Sequence, residues 1–124
     1  MSKRRVVVTG LGIVSPLGND LDSSWSGIVN GRSGIAPVTH FDASAMATWI
    51  AGEVKAFDPT LWIPPKDVKK MDAFIHYGVA ASLMAMRDAG LEVNDGNAER
   101  IGALIGSGIG GILGIEEQTI RYHE

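Results

Sequence analysis

The chain has 124 residues, of which 45% are apolar and 20% charged, and its formal net charge is -3. This is ordinary globular composition for about one small domain, with no basic excess that would point to nucleic acid. It contains no cysteine, which excludes a disulfide, a thiolate metal site or a cysteine nucleophile among these residues.

The start, "MSKRR", is basic, and "VVVTGLGIV" follows it. That apolar run is too short and too interrupted for a secretory h-region or a membrane span, so the sequence reads as soluble and cytoplasmic. Arg5 to Val14 is a near-continuous apolar run and predicts a buried strand, covered on both faces. Ser15 to Asn19, "SPLGN", predicts a turn. Asp20 or Asp22 is placed to cap a helix carrying Trp25, Ile28 and Val29, which ends near Asn30-Gly31. Residues 32–48 read as loop and 49–54 as a short strand. Residues 57–65 are turn-rich and hold three of the five prolines.

Residues 66–89 predict mostly helix. A short basic turn, "KDVKK", precedes "MDAFIHYGVAASLMAMRDAG". Asp72 is the expected cap of the second part and Gly90 its expected stop. Phe74, Ile75, Val79, Leu83, Met84 and Met86 do not keep to one stripe, which predicts a helix covered on more than one side. After a polar connection over 91–100, Ile101 to Ser107 predicts a second buried strand. Gly108 to Gly111 then turns into a helix from about Ile112 onward. Strand, helix, strand, helix is the order of an α/β fold with a parallel sheet.

Two glycine runs invite a nucleotide reading. A β-branched run leads into Gly10 and Gly12, but Ser15-Pro16 stands where the third glycine of G-x-G-x-x-G belongs. Asn30 and Arg32 stand where a ribose-binding acid would be. Gly106, Gly108 and Gly111 do complete the pattern between a strand and a helix. No phosphate-loop lysine follows them, and Ile109, Ile112 and Ile115 flank them. Those isoleucines suit a protein core or an apolar pocket, and the residues alone do not separate the two.

Four stretches taken together, "RRVVVTGLGIVSPLGN", "GRSGI" with "HFDAS", "KKMDAFIHYG" and "IGALIGSGIGG", resemble the N-terminal part of the β-ketoacyl-acyl-carrier-protein synthases. The resemblance covers essentially the whole chain, residues 1–124, as a portion of that family's N-terminal domain with no second domain. It implies an α/β, thiolase-like layered fold, in which the first glycine run belongs to a core strand and turn. It implies an acyltransferase of fatty-acid elongation that performs a decarboxylative Claisen condensation. No cofactor is implied, and the partners implied are acyl carrier protein and, in the complete enzyme, a second copy of the chain, without nucleic acid or membrane. By the same resemblance Lys66, Lys69 and Lys70 match carrier-docking positions, although a lysine cluster alone reads as a solvated turn. Ile109, Ile112 and Ile115 match positions lining the acyl pocket, with Ile109 limiting its reach.

The sequence departs from that family in having neither its nucleophilic cysteine nor its two catalytic histidines. His40, His76 and His123 do not stand in for them; His76, inside the apolar helix, reads as packed. No catalytic residue is therefore expected among these residues, and the chain is expected to be inactive alone. A non-catalytic carrier-binding or chain-length-partner module of the same family is the competing reading.

Overall fold

The structure is a computed structural model, and it describes residues 3–124. Its elements in chain order are α1 (Leu21–Val29), β1 (Ala36–Pro37), β2 (Ile50–Ala51), α2 (Pro65–Val68), α3 (Ala73–Asp88) and α4 (Ile112–His123). Single 3-10 turns occur at Pro59–Leu61 and Ala98–Arg100.

Each helix boundary has a local cause. Asp20 caps α1, accepting the Ser23 N–H at 2.7 Å. That bond holds the Asp20 carboxyl below its ordinary value by favouring the charged form. The helix stops at Asn30-Gly31, with Gly31 at φ 63. At the end of α3 the Leu91 N–H reaches the Met86 carbonyl at 2.9 Å and the Gly90 N–H reaches Arg87 at 3.1 Å. With Gly90 at φ 60 this is a Schellman stop, a conformation that glycine adopts without a Cβ penalty.

"SPLGN" forms the expected turn. Ser15 and Gly18 exchange backbone bonds at 2.9 and 3.2 Å. The buried Ser24 hydroxyl on α1 donates to the Gly18 carbonyl at 3.1 Å. Asn19 reaches across to the Lys55 carbonyl at 2.9 Å, which ties this turn to the segment after β2.

The predicted strands need correction. Residues 49–54 form a strand only at Ile50–Ala51, and its antiparallel partner, Ala36–Pro37, lies inside the expected loop. Residues 5–14 and 101–107 form no strand, and they are not buried: Val6 is 90% and Leu104 99% exposed. A strand exists only through a ladder partner, and among the described residues neither segment meets one. Both lie against α3 instead. A Cβ on Gly10 would fall 2.6 Å from the Ala89 nitrogen, and one on Gly12 2.7 Å from the Ala85 nitrogen. Two residues of this segment thus advance four residues along the helix, about 6 Å, which is the rise of extended chain. Ile105 of the second segment lies beside Gly78 of the same helix. One face of each segment is covered by α3, and the apolar face opposite is open.

The apolar core is correspondingly small. Ala43, Ile63 and Ala80 are buried. Around them, Phe57 meets Tyr77 edge to face at 5.1 Å, and the Arg87 guanidinium covers the Trp62 ring at 4.8 Å. Trp25, Ile28 and Val29 face outward, because α1 packs through its small residues Ser24 and Gly27.

Candidate functional site

The helical stretch predicted over 66–89 is broken into α2 and α3 by Lys69 to Asp72. Pro64 and Pro65 start α2, and proline suits a first helical turn because its missing N–H would be unpaired there. Lys66, Lys69 and Lys70 are all exposed. They are not equivalent: Lys70 Nζ lies 2.9 Å from Asp67 Oδ1, three residues earlier. Among the described residues Lys66 and Lys69 have no ion-pair partner.

His76 holds this helix in place. It is buried, and its Nε2 lies 3.1 Å from the Val68 carbonyl at the end of α2. A carbonyl only accepts, so Nε2–H donates. His40 is exposed and lies 3.9 Å from Glu53, and the His123 ring packs edge-on to Tyr122.

The other half of the site is the turn from Ser107 to Gly111 and the helix that follows it. Ile109 has φ 54, the left-handed region, which a β-branched side chain disfavours. Gly111, at φ 80, begins α4. The start of α3 presses on this turn. A Cβ on Gly110 would fall 2.6 Å from the Phe74 ring, and one on Gly114 2.9 Å from Asp72 Oδ2. Asp72 stands at the N-cap position of α3 but makes no capping bond there. Its carboxylate leans on the first turn of α4, where the positive end of the helix dipole favours an anion.

Two adjoining clefts result, sharing Asp72 and Gly111. The larger, about 740 Å³, is lined by Lys69, Lys70, Met71, Ile75, Ile115 and Tyr122, together with the carboxylates of Asp72 and Glu117. The smaller, about 260 Å³, is lined by Phe74, Ile109, Ile112 and Leu113. The structure therefore separates Ile109 and Ile112 from Ile115, and it brings Ile115 to the lysines. All three isoleucines are exposed. Among the described residues no group of three or more His, Cys, Asp or Glu is arranged to hold a metal, and no helix is long and apolar enough to cross a membrane.

The sequence profile of the β-ketoacyl synthase N-terminal domain matches residues 3–124. The chain belongs to the β-ketoacyl synthase family. Among curated relatives, it is 55% identical over 116 residues to the 3-oxoacyl-acyl-carrier-protein synthase 2 of Vibrio cholerae serotype O1, covering 94% of this chain and 28% of that protein. The synthase 2 of Synechocystis sp. is 51% identical, covering 95% of this chain and 28% of the relative. That of Staphylococcus aureus strain N315 is 42% identical, covering 88% and 26%. A solved structure, "The ishigamide ketosynthase/chain length factor", superposes with a TM-score of 0.63 at 39% identity, covering 73% of this chain and 23% of that one. The chain thus spans about 28% of the length of the V. cholerae relative. The fold is the α/β, thiolase-like fold of the ketosynthases.

The sequence reading missed Asp72 as a brace of α4 and Phe74 as a cleft wall. Both lie in "KKMDAFIHYG", which carried the resemblance without any role for its residues. The available signal was spacing: the small positions Gly110, Gly111 and Gly114 make room for something bulky from elsewhere in the chain.

Proposed function

We propose that this chain is the carrier-docking and pocket-shaping part of a 3-oxoacyl-acyl-carrier-protein synthase. The reaction transfers an acyl group from its carrier to a cysteine thiolate. Malonyl carrier protein then loses CO2, and the resulting carbanion attacks the acyl-enzyme carbonyl. The C–S bond to the enzyme breaks, the thiol is regenerated, and 3-oxoacyl carrier protein leaves. A thiolate nucleophile and an oxyanion site are needed for these steps, and no cysteine is present in the 124 residues. In this reading Lys66 and Lys69 meet the acidic carrier, Lys70 joins them in balance with Asp67, and Ile109, Ile112 and Ile115 line the acyl path. The observation that carries it is the cleft in which Lys69 and Lys70 share walls with Ile115, Met71 and Ile75. A charged rim beside an apolar wall suits an acidic carrier that delivers an apolar chain.

A non-catalytic partner of the same family is the second reading. It is favoured by the likeness to a ketosynthase/chain length factor structure. One experiment separates the two. Residues 3–124 are grafted into the V. cholerae synthase in place of its matching stretch, and 3-oxoacyl product is measured from malonyl and acyl carrier proteins. Product within about tenfold of the parent supports the synthase reading. A folded graft that binds carrier but makes no product supports the non-catalytic partner, and one that binds no carrier at low salt refutes both.

A further inference from the structure

The turn that carries Ile109 is held from outside. Ile109 keeps a left-handed backbone that its branched side chain disfavours, with a glycine on each side that gives the chain no stiffness of its own. A conformation of that kind persists only where neighbours impose it. Two neighbours do so, both from the start of α3. The Phe74 ring fills the space over Gly110, where a Cβ would fall 2.6 Å from the ring, and the Asp72 carboxylate lies against Gly111 and Gly114. Phe74 is 38% exposed, and its open part lines the same 260 Å³ cleft as Ile109 and Ile112.

We propose that Phe74 is a specificity-determining positioning residue: its ring, alongside the Asp72 carboxylate, fixes the 107–111 turn and so sets how far Ile109 blocks the acyl path. This rests on the synthase reading above. The ring acts on the turn through packing, and the acyl chain meets the turn. Removing the ring frees Ile109 to yield, so long chains gain relative to short ones. A bulkier Gly110 and a smaller Phe74 compensate each other in part, since they compete for a space that the Ser107 hydroxyl also borders.

The test uses the grafted V. cholerae synthase and the ratio of kcat/KM for a fourteen-carbon and a six-carbon acyl carrier protein. Phe74→Ala is expected to raise the ratio at least fivefold, and Phe74→Tyr to hold it within twofold. Gly110→Ala is expected to shift the ratio, and Gly110→Ala with Phe74→Ala to bring it back toward the parent. A Phe74→Ala ratio within twofold of the parent, with a lowered melting temperature, overturns the proposal and leaves Phe74 a packing residue. Should Phe74→Ala not fold, Phe74→Leu is read the same way, with a threefold rise as its threshold. A parent graft without product fails the synthase reading instead. The positioning claim is then read from amide exchange at Ile115 of the 124-residue chain, whose N–H donates to the Gly111 carbonyl at 3.0 Å. Phe74→Leu should speed exchange there at least tenfold relative to α1, and unchanged exchange overturns the proposal.

Discussion

Gly12→Ala tests whether the first glycine run exists to let the chain lie against α3. The new Cβ would fall 2.7 Å from the Ala85 nitrogen and 2.8 Å from Met84 Cβ, where ordinary contact begins near 3.4 Å. The Ala81 carbonyl oxygen is nearer still, so the segment must retreat by more than about 0.7 Å, because the atoms it meets are mostly helix backbone. Overpacking of this kind costs about 1–3 kcal/mol. The same retreat stretches the bond from Leu11 N–H to Asp88 Oδ2, now 2.8 Å and exposed, which adds no more than about 1 kcal/mol. A chain of this size loses roughly 4 °C of melting temperature per kcal/mol, so a fall of about 4–16 °C is expected. Gly102→Ala is the control. Nothing lies within 4 Å of its Cβ, so it should be neutral, or stabilising by about 0.4–1 kcal/mol through the unfolded chain. Urea titration followed by tryptophan fluorescence reads both. An unchanged midpoint for Gly12→Ala refutes the close-approach argument. An equal loss for Gly102→Ala shows that something covers the 101–107 segment.

Three further expectations follow from particular contacts. Asp20→Ala removes the α1 cap and should cost about 1 kcal/mol. Because the folded carboxyl titrates below its ordinary 3.8, the cap's contribution is complete above that value and lost as pH falls through the folded pKa; the Ser23 amide shift should show this in the parent, and an identical acid limb in Asp20→Ala would count against it. Reversing Lys66 and Lys69 to Glu should weaken carrier-protein binding about three- to thirty-fold at low salt, fading in high salt, with Lys70→Glu doing less because Asp67 already engages Lys70; equal effects from all three positions would contradict this ranking. In the grafted synthase, Ile109→Phe should depress long-chain kcat/KM about tenfold more than short-chain, a difference of about 1.4 kcal/mol; an equal loss at all lengths would leave only a packing role.

The helices were legible because their signals are local. Asp20 before Leu21, and Gly90 after Ala89, act within one turn of chain, and the structure uses both. The strands were legible as composition but not as pairing. Val6, Val7 and Val8 have the residues of a buried strand, yet burial depends on what lies across from them, and no described residue does. The strand at 50–51 was legible within 49–54, but its partner at 36–37 escaped notice because it is two residues long and lies in a stretch that reads as loop; beyond it Glu53 accepts the Thr39 N–H at 2.9 Å and its hydroxyl at 2.7 Å. Asp72 shows the limit most clearly. Its position was read correctly as the start of α3, but its side chain serves a helix forty residues away, and no periodicity reports such a contact.

The second glycine run can now be judged on charge as well as pattern. Gly106, Gly108 and Gly111 satisfy G-x-G-x-x-G, and a helix does begin after them. A dinucleotide uses that arrangement by placing its pyrophosphate on the free N–H groups of the first helical turn. At α4 an anion from the protein itself already stands beside that turn, since the Asp72 carboxylate lies against Gly111 and Gly114. A second negative group would meet like charge where it needs the opposite one. Gly106 and Gly108, the two glycines a pyrophosphate would approach, would have nothing within 4 Å of an added Cβ, while Gly110 and Gly114, outside the pattern, are tightly confined. The glycines under steric demand are thus those that face Phe74 and Asp72. Their spacing answers to the start of α3 and not to a phosphate, and it leaves an apolar cleft beside Ile109 and Ile112.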